Sequence, residues 1–345
     1  MVVNERSWSD SAATDLCRPA WDAAPPLSRL GDNVPPSQHK ALRATLGEMP
    51  KATPSRDPIG VGGHRASVSA TMSTMLLALA LALAALAAPP AHSATPPSHA
   101  GGPVIAAGGN VMPRGLRRRA LELAKGDASR VVVLNQAIGS RKVGLREVEA
   151  WKAAGARHVQ LVASLSPRSQ KRILGADVIW FTGGDQRRLM KALLTSGADA
   201  LIHRRHRAGA VVGGFSAGAA VMSRIMLAAG KPRTRGLRRG LITPLVGLGL
   251  IPGVIIDQHY VEFGRQARLT SMVLENPKLL GVGISERTAI IVTGRRLEVV
   301  GSRVVHLIDA RQATVSPAKQ GEAQAANGVR LDILRAPMKR TLPGP

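Results

Sequence analysis

The chain has 345 residues, and its hydrophobic content of 45% with 36 glycines fits a globular α/β protein. Aromatic residues make up only 2% of it, which argues against a stacking platform for single-stranded nucleic acid. The formal net charge is +25, but the arginines are scattered as well as clustered and no nucleic-acid motif is present, so we interpret the charge as a general arginine bias and expect no nucleic-acid partner.

The first hundred residues differ in composition from the rest. Residues 1–70 lack sustained periodicity and are predicted to be disordered or a misassigned extension. Residues 76–88 are an unbroken run of Leu and Ala, which is too short for a comfortable membrane span and suits a signal-peptide core better than a buried helix. We therefore predict a signal peptide at 71–94, a true start at Met72 or Met75, and a secreted or periplasmic protein with no stable membrane span after cleavage.

After a predicted linker at 95–101, a folded domain is expected over 102–345. Short apolar runs there predict strands at 104–107, 131–135, 158–162, 177–181, 210–212, 254–256 and 280–284. Helices are predicted at 116–125, 144–155, 166–174, 186–194, 198–208 and 260–274. This alternation predicts an α/β fold with a doubly wound, mostly parallel sheet. Short strands at 290–292, 297–300 and 304–308 predict a C-terminal antiparallel meander that closes one edge.

The stretch 210–220 places Ser216 between a predicted strand and a run of small residues that can begin a helix. Gly213 and Gly214 permit a backbone path that residues with a Cβ resist. Strand, tight turn, serine and helix form the layout of a nucleophile elbow, in which the first helical N–H groups face an oxyanion. The alternative interpretation is a small-residue connection without chemistry.

Two further polar residues follow predicted strands, His259 and Glu286. A serine nucleophile needs a base to take its proton, and the base needs an acceptor that fixes its tautomer. Ser216, His259 and Glu286 would meet this requirement on neighbouring strand ends. The alternatives are a hydrogen-bonded core histidine and a glutamate that caps the following hairpin. The pair Gly183-Gly184 could add a second backbone N–H at the oxyanion.

Five ordered segments resemble the cyanophycinase group of the serine peptidase family that also contains peptidase E, the aspartyl dipeptidase. They are residues 181–186, 213–219, 247–252, 257–260 with Arg265 and Arg268, and 283–289. Together they span nearly all of the chain between residues 102 and 310. The resemblance implies a fold like that of class I glutamine amidotransferases and a hydrolase that needs no metal or other cofactor, with a homodimer possible.

The resemblance also implies roles for individual residues. Ser216 would be the nucleophile, His259 the general base and Glu286 the orienting acid, with the backbone N–H groups of Gly184 and Ala217 at the oxyanion. The positions matching the family's substrate region are Asp185, Gln186, Asp257, Gln258, Arg265 and Arg268. The implied reaction is cleavage of aspartyl peptide or isopeptide bonds through an acyl-enzyme, with cyanophycin as the first candidate substrate and β-aspartyl-arginine as its product.

The chain departs from the family pattern at three places. Phe215 precedes the serine where relatives carry a small hydroxyl residue, and Phe263 stands where they carry an arginine. The loop 229–240 contains no acidic residue, which leaves Glu286 as the motif-matched acid. The missing loop acid and Phe215 keep open a short-peptide hydrolase like the aspartyl dipeptidase. A separate alternative is a family-derived binding protein that no longer turns substrate over.

Overall fold

A computed structural model of the chain describes residues 101–227 and 236–344. The predicted extension, signal peptide and most of the linker lie outside these residues, as does much of the acid-free loop 229–240. Within the described ranges, no helix is both long enough and apolar enough to cross a membrane.

The described chain alternates strands and helices up to Glu275 and continues mainly as strands. The strands are β1 (Val104–Ala107), β2 (Arg130–Leu134), β3 (His158–Val162), β4 (Val178–Phe181), β5 (Val211–Phe215), β6 (Ile225–Leu227), β7 (Pro244–Val246), β8 (Val254–Gln258), β9 (Leu280–Ile284), β10 (Thr288–Thr293), β11 (Arg296–Gly301), β12 (Val304–Asp309), β13 (Thr314–Val315), β14 (Ala326–Asn327), β15 (Arg330–Arg335) and β16 (Lys339–Thr341). The α-helices are α1 (Leu116–Glu122), α2 (Arg141–Ala153), α3 (Pro167–Leu174), α4 (Gln186–Ser196), α5 (Ala198–Arg207), α6 (Ala217–Ala220) and α7 (Gln266–Glu275).

The first sheet has eight strands in the order β16-β11-β10-β1-β5-β4-β2-β3. Five neighbouring strands of this sheet pair in parallel, as the alternating pattern predicts: β1, β5, β4, β2 and β3. Strands β1 and β4 are buried along their whole length, because helices cover a parallel sheet on both faces. On one face Trp151 of α2 meets Trp180 of β4 edge to face, with ring centroids 5.3 Å apart.

The second sheet has six strands in the order β15-β12-β9-β8-β6-β7. Strands β6, β8 and β9 are parallel, so the mixed α/β fold contains two partly parallel sheets rather than the single sheet predicted. The predicted meander is also divided: β10 and β11 extend the first sheet, whereas β12 pairs with β9 in the second. The likeness to class I glutamine amidotransferases stays a prediction.

Helix boundaries follow local capping signals. Helix α2 begins at Arg141 because the Ser140 hydroxyl accepts the N–H of Val143, and α3 begins after Ser166 in the same way. The prediction of a helix over 260–274 was wrong in its first part, because residues 260–264 form turns and α7 begins at Gln266. The N–H of Tyr260 is bonded to the carbonyl of Ile284 instead of joining a helix.

The loop after β1 joins the two sheets at the carboxyl ends of their parallel strands. The Gly108 N–H donates to the carbonyl of Thr288, and the Gly108 carbonyl accepts the N–H of His259, each at 2.9 Å. Ligands of open α/β sheets bind beyond these strand ends. Ser216 follows β5 of the first sheet, while His259 and Glu286 follow β8 and β9 of the second.

Candidate active site

Ser216 lies at a strained turn directly between β5 and α6. Its φ of 52° and ψ of −112° fall outside the regions that residues with a Cβ normally adopt. The turn depends on close backbone approach, because a Cβ on Gly214 would lie 2.8 Å from the Phe181 carbonyl oxygen and one on Gly218 only 2.6 Å from it. The segment 214–218 thus has both the Gly-x-Ser-x-Gly sequence and the geometry of a nucleophile elbow.

A continuous hydrogen-bonded chain runs from Ser216 through His259 to Glu286. The Ser216 Oγ lies 2.9 Å from His259 Nε2, and Nδ1 of the same ring lies 2.6 Å from Glu286 Oε1. A carboxylate only accepts hydrogen bonds, which assigns the proton to Nδ1 and leaves Nε2 free to accept the serine hydroxyl. The structure therefore brings together the three residues that sequence reasoning selected, with His259 between Ser216 and Glu286.

Glu286 is stabilised as the ionised acid. The hydrogen bond from His259 lowers the pKa of this carboxyl below its ordinary value, burial opposes the effect, and a hydrogen bond from Asn110 adds to it. Asn110 Nδ2 donates to Glu286 Oε2 at 2.8 Å. The backbone N–H of Glu286 donates to Glu262, whose second oxygen accepts Arg303 at 2.7 Å. These contacts fix the acid on both its side chain and its backbone.

Sequence reasoning assigned no role at the site to three residues that surround His259. A Cβ on Gly109 would lie 2.4 Å from His259 Nε2, so the loop after β1 passes against the ring itself. Asn110, the next residue, reaches Glu286. Phe263 stacks on the imidazole with ring centroids 4.6 Å apart and planes 8° from parallel. The available signal was the position of Gly108-Gly109-Asn110 at a strand's carboxyl end.

The two predicted oxyanion donors, Gly184 and Ala217, directly follow Gly183 and Ser216, and the structure places Gly183 next to Ser216. A Cβ on Gly183 would lie 3.4 Å from the Cβ of Ser216 and 2.9 Å from the Phe215 ring, so the loop carrying Gly184 passes against the elbow. Gly184 has a φ of +136°, which glycine adopts without strain. Ala217 is the first residue of α6 and directly follows the serine. Their role at an oxyanion stays a prediction.

Comparison with known proteins identifies the family of this chain. Residues 144–300 match the model of peptidase family S51. The cyanophycinase of Geminocystis herdmanii is 34% identical over 201 residues, which cover 56% of this chain and 73% of the relative. The chain belongs to peptidase family S51. The cyanophycinase of Trichormus variabilis is 34% identical over 183 residues, which cover 50% of this chain and 60% of that relative.

A solved structure supports the fold of this S51 chain. The crystal structure of a peptidase from an acI-B1 Actinobacterium superposes with a TM-score of 0.50 at 19% identity. The superposition covers 71% of this chain and 98% of that one. The shared architecture is a mixed α/β fold, and family membership makes the chain a peptidase.

Most of the predicted substrate-binding residues of this S51 peptidase are buried and bonded to one another. Asp257, whose side chain is fully buried, accepts a bidentate pair of bonds from Arg268 and a longer one from Arg265. Arg265 also donates to the carbonyl and side-chain oxygens of Gln258. Burial lowers the pKa of Arg265 to about 10, although the charge of Asp257 opposes this. In this structure the four side chains form an internal ion cluster rather than the predicted substrate-facing group.

The other two predicted substrate residues differ in exposure. Gln186 is buried and its Nε2 donates to the Leu227 carbonyl at 3.0 Å, so it also faces inward. Asp185 has 38% of its side chain exposed, caps α4 and forms a bidentate pair with Arg187. Burial would raise the pKa of Asp185, but the bonds from Arg187 outweigh it and lower the pKa. Asp185 is therefore the one member of the predicted set that solvent reaches readily.

Proposed function

We propose that this S51 peptidase is a serine-type enzyme that hydrolyses aspartyl peptide or isopeptide bonds through an acyl-enzyme, with cyanophycin as its candidate substrate. The observation that carries the proposal is the hydrogen-bonded chain Ser216–His259–Glu286 on a strained elbow. We further propose that the signal peptide at 71–94 exports the protein, which then acts outside the cytoplasm.

The proposed reaction has two halves. In the first, Ser216 Oγ attacks the substrate carbonyl as its proton passes to His259 Nε2, and the oxyanion meets the N–H groups of Gly184 and Ala217. His259 then gives that proton to the leaving amine, and the C–N bond breaks to leave an ester on Ser216. In the second, His259 takes a proton from water, the hydroxide attacks the ester, and the acid product leaves as the serine is reprotonated. Glu286 holds the Nδ1 proton throughout and stabilises the imidazolium.

The substrate is proposed from the relatives. Both curated relatives described above are named cyanophycinase, and the one from Geminocystis herdmanii shares the family region at 34% identity. Applied to this chain, the same specificity would release β-aspartyl-arginine from the polymer.

A second candidate function is hydrolysis of short aspartyl peptides, and one observation favours it. Three carboxylates lie on loops that reach the Ser216 region, and each already accepts a hydrogen bond. Asp185 accepts one from Arg187, Glu262 one from Arg303 and Glu286 one from His259. A guanidinium on the substrate would have to displace one of these partners, whereas a small peptide without arginine would not. A third candidate is a binding homologue whose serine is not activated.

One experiment separates these candidates. The chain and its Ser216→Ala variant are incubated with purified cyanophycin and with aspartyl dipeptides, and a fluorophosphonate probe reports on the serine. We expect β-aspartyl-arginine from the wild type, none from Ser216→Ala, and labelling only of the wild type. Dipeptide cleavage without polymer cleavage would favour the short-peptide hydrolase. Absence of both cleavage and labelling would overturn the proposal in favour of the binding homologue.

A further inference from the structure

A cavity of about 330 Å³ lies at the strand ends of the second sheet that are opposite the candidate active site. Leu280, the first residue of β9, lines the cavity, whereas Glu286 follows the last residue of the same strand. A strand rises about 3.3 Å per residue, so the length of β9 separates the cavity from the acid. The cavity is therefore a feature distinct from the Ser216 region.

Three arginines from three different segments converge on this cavity. Arg311 follows β12, Arg330 begins β15 and Arg340 lies in β16. Their side chains are 40%, 55% and 40% exposed, so the guanidinium groups remain accessible to a ligand from solvent. Bringing like charges together costs free energy unless an opposite charge is present.

The carboxylates that line the cavity balance only part of this charge. Asp309 forms a bidentate pair with Arg311, with contacts of 2.8 and 2.6 Å. Asp332 Oδ2 accepts a hydrogen bond from Arg330 and forms an ion pair with Arg340, both at 2.8 Å. Three guanidinium groups therefore face two carboxylates in the lining, which leaves one excess positive charge.

Many hydrogen-bond donors of these arginines are also left over. A guanidinium carries five N–H donors. Within the described part of the chain, Arg330 directs one of them to Asp332, Arg311 directs two side-chain donors to Asp309, and Arg340 is paired with Asp332 by charge. The three arginines and Thr341 line a space large enough for a small ligand. Guanidinium forks match the oxygens of carboxylate and phosphate groups.

We propose that this cavity is a binding site for a small polyvalent anion that carries carboxylate or phosphate groups. The anion neutralises the excess charge of the three arginines and accepts the donors that Asp309 and Asp332 leave unused. Because Arg311, Arg330 and Arg340 come from separate segments, the ligand also ties β12, β15 and β16 together.

The test measures binding to the 345-residue chain carrying Ser216→Ala, so that turnover plays no part. Isothermal titration at constant ionic strength uses inorganic phosphate in one arm and succinate in the other, with chloride as the reference anion. We expect saturable binding of one anion per chain in at least one arm. The preferred arm identifies whether phosphate or carboxylate is the ligand chemistry.

Matched variants locate the site. Arg340→Gln removes one charge from the lining and is expected to weaken binding by about tenfold or more, the usual effect of losing a charge-assisted hydrogen bond. Arg335→Gln makes the same change on β15 at an exposed position outside the lining, and it is expected to leave binding unchanged. Circular dichroism checks that each variant is folded, and Arg330→Gln replaces Arg340→Gln if the latter is not.

Two results would overturn the proposal. One is the absence of saturable binding in both arms. The other is binding that the folded lining variant weakens no more than Arg335→Gln does, which would indicate a general attraction of anions to a basic protein. Neither result depends on whether Ser216 is a nucleophile.

Discussion

At the scale of single residues, the stacking of Phe263 on His259 is a feature that orients the imidazole of the proposed base. The two rings are 4.6 Å apart and nearly parallel, and the Arg265 guanidinium lies 4.9 Å from the Phe263 centroid. This stack restricts rotation of the imidazole, which must reach Ser216 with one nitrogen and Glu286 with the other. Stacked aromatic pairs contribute about 0.5–1.5 kcal/mol beyond their buried area.

Phe263→Leu is therefore expected to lower kcat roughly two- to tenfold with little change in KM, since the ring orients the base rather than the substrate. Phe263→Tyr keeps the stack and should retain near wild-type kcat. Steady-state kinetics and the rate of fluorophosphonate labelling measure both effects. Equal rates in the Leu and Tyr variants would contradict an orienting role.

A second residue-scale prediction concerns Asn110 and the pKa of Glu286. The folded-state pKa of this carboxyl is lowered, so its contribution to stability is present above the unfolded pKa and is lost as pH falls through the folded value. Asn110→Ala removes one donor and should move the pKa of Glu286 upward. The contribution of this carboxylate to stability would then be smaller, and its loss on acidification would be complete at a higher pH.

NMR titration of the Glu286 side-chain carboxyl measures this shift directly. Asn327→Ala, a change at an exposed residue of β14, serves as the matched control. An unchanged titration midpoint in Asn110→Ala would contradict the assigned role of the amide.

The sequence allowed part of this site to be predicted. Ser216, His259 and Glu286 follow strands, and strand ends of parallel sheets converge, so their meeting could be anticipated. The contacts of Phe263 and Asn110 depend on the path of turns that carry no periodic signal. The inward orientation of Arg265 and Arg268 was missed because a motif shows which polar residue is present but not whether its side chain faces a substrate or a buried aspartate.

At the scale of elements, the junction of β5 and α6 depends on two glycines. Gly218→Ala would put a methyl group 2.6 Å from the Phe181 carbonyl oxygen, which belongs to the neighbouring strand β4. Backbone atoms cannot yield as a flexible side chain can, so we expect a loss of about 1–3 kcal/mol in the free energy of unfolding, together with loss of activity.

Thermal and urea denaturation check this effect. Gly175→Ala is the control, because a Cβ there meets its nearest atom at an ordinary 3.5 Å. A Gly218→Ala variant as stable and as active as Gly175→Ala would show that the elbow tolerates a wider separation from β4.

Most elements could be predicted from their patterns, but their partners could not. The runs 158–162 and 280–284 both give strands with the expected bounds. The second is buried throughout, because its aliphatic residues fit a parallel sheet, whereas the first is a partly exposed edge strand. Nothing in the spacing of strands specifies that β8 and β9 leave the first sheet, or that β12 follows them. Short edge strands such as β7 and β16 lack a full hydrophobic repeat and were not predicted.

At the scale of the whole molecule, the cluster of Asp257, Arg265 and Arg268 ties the end of β8 to α7. Both arginines are about 5% exposed or less, and Asp257 is 1% exposed. Removing one partner of a buried ion pair leaves the other charge uncompensated, which costs about 3–5 kcal/mol. The cluster is thus expected to act on stability before it acts on substrate binding.

Arg268→Met is the variant that tests this expectation. Urea denaturation should show the free energy of unfolding reduced by about 3–5 kcal/mol, with Arg335→Met, at an exposed position, close to wild type. A stable Arg268→Met protein with a raised KM would instead support the substrate-facing role that the motif suggested.

The three residues of the proposed catalytic chain do not share one sheet, since Ser216 comes from the first and His259 with Glu286 from the second. The 2.9 Å contact between Ser216 and His259 therefore joins the strand ends of two different sheets. Each sheet can keep its own backbone hydrogen bonds when the distance between these two side chains increases. In the proposed mechanism, activity therefore depends on how the strand ends of the two sheets are held against each other. A shift of about 1 Å between Ser216 and His259 would take the pair beyond hydrogen-bond distance without breaking a bond inside either sheet.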